Sequence, residues 1–139
     1  MTLLMFLGEY EHTLDAKSRL AIPARFRSQM GRGAVLSKGM GSCLSLYPLE
    51  HWEQKSNELI ARMAGDELRD FERRIYPSAC EVELDGQGRV MVPAKLRAYA
   101  KLETNVTIAG VRDHMEIWDR VTWNAYQERL EDEEKHIPF

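Results

Sequence analysis

Apolar and polar residues alternate along Arg19–Ile22 and again along Arg89–Val92, which predicts two short strands with Leu20 and Ile22, and likewise Val90 and Val92, turned to one side. Strand-like stretches Glu9–Leu14 and Cys80–Leu84 lead into them through tight reversals. In Asp85-Gly86-Gln87-Gly88 glycine makes a positive φ cheap, whereas Asp15-Ala16-Lys17-Ser18 has no glycine and must be held by its surroundings. Pro23 and Pro93 suit a first helical turn, where a missing N–H costs little, so short helices are predicted over Pro23–Met30 and Pro93–Ala100. A second pair of hairpins follows. Val35–Leu36 turns through Lys38–Gly41 into Cys43–Tyr47, and Val106–Ile108 turns through Gly110–Asp113 into Met115–Trp118. Helical spacing then recurs in Trp52, Leu59, Ile60 and Met63, in Leu68, Phe71 and Ile75 up to Pro77, and in Trp123, Tyr126 and Leu130 behind an Asp119 N-cap. Gly65 and Asp66 separate the first two of these helices.

The elements come in the same order twice because the chain is duplicated. Leu14 to Arg27 returns seventy positions later as Leu84 to Arg97, keeping Leu-Asp-x-x-x-Arg, the alternating aliphatics, Pro-Ala and two further basic positions. With one residue inserted, Val35–Gly39 aligns with Val106–Gly110, Leu44–Tyr47 with Met115–Trp118, and Trp52 with Trp123. The division is read as 1–77 for the first repeat with an added helical hairpin and 78–139 for the second with its C-terminal helix. No Pro/Gly-rich or polar linker intervenes, so the halves are expected to share one core of α+β class. Two equivalent cationic hairpins point to a pseudo-symmetric binder, since most enzymes need one asymmetric site.

A net charge of −3 argues against a nucleic-acid partner until its distribution is read. Residues 15–32 carry Lys17, Arg19, Arg25, Arg27 and Arg32 against Asp15, a local balance of +4. Residues 85–101 carry Arg89, Lys95, Arg97 and Lys101 against Asp85, a balance of +3. The acid lies elsewhere, notably Glu131-Asp132-Glu133-Glu134. Phosphates respond to the local potential, because ordinary salt screens charges beyond about 8–10 Å.

On a tight hairpin the residues at either end of the turn lie opposite each other. Asp15 is therefore expected to reach Arg19, and Asp85 to reach Arg89. A carboxylate held this way also accepts turn N–H groups and orients the guanidinium, which limits the freedom lost on binding. A simple hairpin staple would use the same residues.

The pattern Asp-x-x-x-Arg-[Leu/Val]-x-[Ile/Val]-Pro-Ala, present twice, resembles the MraZ family of bacterial transcriptional regulators. So do Met5-Phe6-Leu7-Gly8-Glu9-Tyr10, Leu46-Tyr47-Pro48 with Trp52, and Ile117-Trp118-Asp119 with Trp123. The resemblance implies a swapped-hairpin β-barrel of AbrB type, built from two intrachain repeats with peripheral amphipathic helices. It implies a homo-oligomeric ring binding short direct repeats of double-stranded DNA upstream of the division and cell-wall gene cluster, in the cytoplasm and at the nucleoid. Carried over by position, the DNA-binding residues are Lys17, Arg19, Arg25, Gln87, Arg89 and Lys95, with Asp15 and Asp85 as orienting carboxylates. Gln87 stands where Lys17 stands, so the halves cannot bind identically. Ser18 departs from the frequent glycine of that position. Arg27 and Arg97 point to a different helix face from Arg25 and Lys95, so one pair is expected to meet phosphate and the other to lie at a subunit contact. Trp52, Trp123 and the Leu68-Phe71-Ile75 stripe are candidate contacts within the ring.

Other classes find little support. The chain has no GxxxxGK[ST], GxSxG or HExxH motif, and His12, His51, His114 and His136 lack metal spacing, so neither catalysis nor a cofactor or metal is expected. No apolar run approaches the roughly twenty residues that cross a bilayer. Met1–Met5 is too short for a secretory signal, and Met5 is an alternative start. Cys43 and Cys80 are expected to be reduced, buried thiols. The rival reading is an antitoxin-like interaction module whose acidic end, Glu131–Phe139, grips a basic partner protein.

Overall fold

A computed structural model describes residues 5–31 and 33–133; Arg32, His136 and the acidic end from Glu134 onward lie outside them. The first half runs β1 (Glu9–Thr13), β2 (Arg19–Ala21), α1 (Ala24–Arg27), β3 (Ala34–Lys38), β4 (Leu44–Pro48), α2 (Leu49–Ala61) and α3 (Gly65–Ile75), ending in a 3-10 turn over Tyr76–Ser78. The second runs β5 (Cys80–Val82), β6 (Arg89–Met91), α4 (Ala94–Tyr99), β7 (Asn105–Gly110), β8 (Met115–Asp119) and α5 (Arg120–Asp132). The strands β2 and β6 end at Ala21 and Met91; Ile22 and Val92 still donate across the ribbon, and Pro23 and Pro93, which have no N–H, cannot carry the pairing further. Helix α1 has half its predicted length because Gln29 and Met30 donate to Phe26 and Arg27 in tight turns before Gly31 takes φ +59°.

Six strands form one antiparallel sheet in the order β1-β7-β8-β4-β3-β5, and β2 pairs with β6 as a separate two-stranded ribbon. Strand β1 of the first repeat pairs with β7 of the second, setting Tyr10 opposite Ile108. Reciprocally, β5 pairs with β3, setting Cys80 opposite Leu36. The expected closed barrel is thus an open sheet plus a ribbon in its continuous pairing. Among the described residues, an isolated bridge, Leu14 to Leu20, and turn hydrogen bonds join the sheet's edge to the ribbon.

The core lies between the two layers. Leu36, Leu44, Leu46, Ile108, Met115 and Ile117 of the sheet meet Leu20, Ile22, Val90 and Val92 of the ribbon region, with Phe26 and Leu96 packed from the short helices. Fully burying one such side chain contributes roughly 1.5–3 kcal/mol, so both repeats stabilise a common cluster. Leu36 pairs with Leu46 as Ile108 pairs with Ile117, so Leu36 is the counterpart of Ile108. This moves the sequence alignment of Val35–Gly39 with Val106–Gly110 by one residue, and such a shift exchanges the two faces of a strand.

The longer helices cover the sheet's outer side. Trp52 meets Tyr47 and Tyr76 edge-on, Phe71 also meets Tyr76, and Ile75 is buried. Trp118 packs against both Trp123 and Tyr126. The aromatic stripes considered for ring contacts are therefore engaged within the chain. Asp119 caps α5 by accepting from the Thr122 N–H at 3.0 Å. Both cysteines are free, but only Cys43 is buried; Cys80, on the short edge strand β5, is half-buried.

Candidate nucleic-acid interface

Each hairpin tip is organised around one carboxylate. Asp15 Oδ1 accepts from the N–H groups of Lys17 and Arg19, both at 2.9 Å, and Oδ2 accepts from Arg19 Nε at 2.7 Å. Asp85 repeats the set with Gln87 N–H at 2.8 Å, Arg89 N–H at 2.9 Å and Arg89 Nε at 2.8 Å. The backbone N–H of Arg19 is the main influence holding the Asp15 carboxyl below its ordinary range, aided by the guanidinium and the Lys17 N–H against some desolvation. Asp85 is lowered chiefly by the Arg89 N–H in the same way. The Asp-x-x-x-Arg spacing thus leaves both carboxylates ionised and spends each arginine's Nε on its own hairpin.

Pairing of β2 with β6 brings the two tips together. Arg19 faces Met91 and Ala21 faces Arg89, so these four side chains share the ribbon's outer face while Leu20 and Val90 point into the core. Arg19 and Arg89 are diagonal neighbours, a relation that sets residues about 7–8 Å apart. Arg89 Nη1 also lies 3.7 Å from Asp15 Oδ2, linking the hairpins through one carboxylate. Lys17 and Gln87 are exposed at the tips. Met91, 60% exposed and opposite Arg19, occupies the place that Ala21 holds in the first repeat.

The remaining cations divide by role. Arg25 on α1 and Lys95 on α4 are exposed; Arg25 reaches the Tyr10 hydroxyl at 3.4 Å. Neither joins the arginine pair by a hydrogen bond or ion pair among the described residues. Arg27 and Arg97 instead brace the opposite repeat's hairpin. Arg97 donates to the Ser18 hydroxyl, while Arg27 donates to Ile22 O at 2.8 Å and lies so close to Gly88 that a β-carbon there would stand 2.4 Å from its Cζ. This bracing role differs from the phosphate or subunit contact expected for Arg27 and Arg97. Its signal was present in the recurrence of arginine after both Pro-Ala-[Arg/Lys] segments, with Ser18 opposite one and Gly88 opposite the other. Ser18 takes φ +59° and Gly88 φ +76°, so the glycine-free turn adopts the same left-handed bend.

The duplication extends to a family model described as "MraZ protein, putative antitoxin-like", which matches residues 5–74 and again residues 75–137. The chain belongs to the MraZ family. It is 44% identical over 143 aligned positions to the transcriptional regulator MraZ of Moorella thermoacetica, covering 97% of this chain and 99% of the relative. It is 47% identical over 124 positions to the protein of that name from Lactiplantibacillus plantarum, covering 88% of each. A third, from Desulfitobacterium hafniense strain DSM 10664 / DCB-2, is 43% identical over 129 positions, covering 92% of this chain and 90% of the relative. These MraZ relatives are named as regulators of transcription rather than as enzymes. Among the described residues no cluster of His, Cys, Asp and Glu is arranged to hold a metal ion, and no helix is long and apolar enough to cross a membrane.

Proposed function

We propose that this chain is a sequence-specific DNA-binding transcriptional regulator that grips duplex DNA with the outer face of its β2–β6 ribbon. The observation that carries the reading is that two arginines from different repeats share one outward face, each held by its own carboxylate. A guanidinium whose Nε is already bonded keeps its terminal nitrogens in a fixed fork, suited to guanine or to phosphate. Arg19 with Lys17 forms the stronger contact, and Arg89 with Gln87 the weaker. Arg25 and Lys95 add phosphate contacts. Bridging at Leu14–Leu20 and the Asp15 and Asp85 turn bonds support one swapped-hairpin barrel made of the two repeats, 1–77 and 78–139, around a single core. The regulator works as a homo-oligomeric ring in the cytoplasm, at the nucleoid. It engages short direct repeats in its own operon's promoter, within the division and cell-wall cluster, because successive repeats convert modest contacts into strong binding.

The test is binding to a labelled promoter fragment and to a scrambled duplex across a salt series. Arg19→Ala should lose most of the preference for the promoter, about 5- to 150-fold for a contact of roughly 1–3 kcal/mol. Arg89→Ala should lose less, and both variants should melt normally. A falling affinity with salt reports the phosphate contacts. Two folded variants that bind as the unaltered protein does would leave the Asp–Arg pairs as hairpin staples. Co-purification with a basic partner protein and no promoter preference would favour the antitoxin-like reading.

A further inference from the structure

The two repeats differ most on the sheet's outer side, and the difference opens a cavity. Helices α2 and α5 each begin directly after their strands β4 and β8, so Tyr47 corresponds to Trp118, Trp52 to Trp123, Lys55 to Tyr126 and Ser45 to Glu116. In the second repeat Tyr126 stacks on Trp118 with ring centres 5.4 Å apart, and Glu116 accepts from the Trp118 indole N–H. In the first repeat lysine replaces the stacking tyrosine and serine replaces the glutamate. Helix α3, which has no counterpart in the second repeat, closes over the gap. What results is a cavity of about 120 Å³ floored by Ser37, Ser45 and Tyr47 and walled by Trp52, Phe71 and Tyr76.

The charges on its described lining are all positive, although Asp113, just outside it, acts on both Lys55 and Tyr47. Lys38, Lys55 and Arg74 line it, and none of the described residues lining it is acidic, in a chain whose net charge is −3. The neighbouring groove that contains Asp113 and His114 shares only Lys55 with it. Lys38 and Arg74 are held over the Tyr99 ring, with Arg74 Nη2 donating to the Tyr99 hydroxyl at 2.6 Å. Aromatic walls with cations among the lining suit a flat apolar body carrying one anionic group.

We propose that this cavity is a binding site for a small aromatic or compact apolar anion, a carboxylate or a phosphate ester, whose charged group meets Lys55 and Arg74. Through Arg74 the site is linked to Tyr99 on α4, the helix whose Arg97 donates to the Ser18 hydroxyl, next to the hairpin proposed above to meet DNA.

Ligand-observed fluorine NMR tests this on the intact protein with 4-fluorobenzoate, 4-fluorophenyl phosphate and uncharged 4-fluorobenzyl alcohol as probes. Probes of this size should bind with Kd of about 0.1–1 mM. The anions should bind at least about fivefold more tightly than the alcohol, and whichever of the two binds more tightly identifies the head group. Lys55→Tyr, which copies the second repeat, should fill the cavity and abolish binding. Lys55→Gln keeps the space but removes the charge, and should weaken the anions to the level of the alcohol while the thermal melt is retained. Equal binding of alcohol and anions, no binding of either anion, or unchanged anion binding in folded Lys55→Gln would overturn the proposal.

Discussion

Replacing Gly88 by alanine tests how the second hairpin is held. Gly88 sits at φ +76°, where an L-residue costs about 1 kcal/mol more than glycine. Its new β-carbon would lie 2.4 Å from Cζ and Nε of Arg27. A guanidinium can swing aside, so steric repulsion is not the lasting cost. What is lost is the bond from Arg27 Nε to Ile22 O, 2.8 Å long and part-buried, which contributes about 1 kcal/mol. Together these amount to about 2 kcal/mol, or a fall in Tm of roughly 6–10 °C for a domain of this size. Urea unfolding of the original protein, Gly88→Ala, Arg27→Ala and the double variant separates the two parts. In the Arg27→Ala background only the backbone cost should remain, giving a coupling of about 1 kcal/mol. The reasoning fails if Gly88→Ala costs under about 0.5 kcal/mol, or costs the same whether or not Arg27 is present.

Three further expectations concern titration and reactivity. Burial of the His114 ring lowers its pKa, but hydrogen bonds to Glu116 and Asp113 outweigh this and raise it above 6.5. Its contribution is then complete below pH 6.5 and is lost as pH rises through the folded value, so the Tm gap between the unaltered protein and His114→Asn should narrow at alkaline pH; a constant gap would contradict this. Asp15 and Asp85 should titrate below 3.8 in carbon-detected NMR, and their stabilising effect, present above that value, should vanish as pH falls through the depressed ones; midpoints at or above 3.8 would refute the hairpin geometry. Desolvation, with a smaller push from Glu116, drives the Cys43 thiol up to about 12, so iodoacetamide at mildly alkaline pH should label half-buried Cys80 first and Cys43 only in denaturant. Equal labelling rates in the folded protein would show that Cys43 is accessible.

Local rules made much of this chain legible. The order of elements followed from period-two and helical spacing, the turns from Asp and Gly, and the contacts from Asp15 to Arg19 and Asp85 to Arg89 from the geometry of a tight reversal. Errors arose where the outcome depended on partners distant in sequence. The one-residue shift at β3 came from its ladder with β4, which sets Leu36 rather than Ser37 toward the core. The bracing by Arg27 and Arg97 is not legible locally because each reaches a turn belonging to the other repeat.

By itself, then, the sequence determined the duplication, the two carboxylate-held arginines and the separation of basic hairpins from acidic helices, since all of these follow from neighbours a few residues apart. Only the tertiary structure decided that β1 and β5 join the opposite repeat's strands, that β2 and β6 set Arg19 and Arg89 on a shared face, and that Lys55 opens a cavity where Tyr126 fills its counterpart. Those outcomes depend on which strand edge finds which and on the volume left between packed layers. Both are properties of the whole chain collapsed on one core, and no local window of residues contains them.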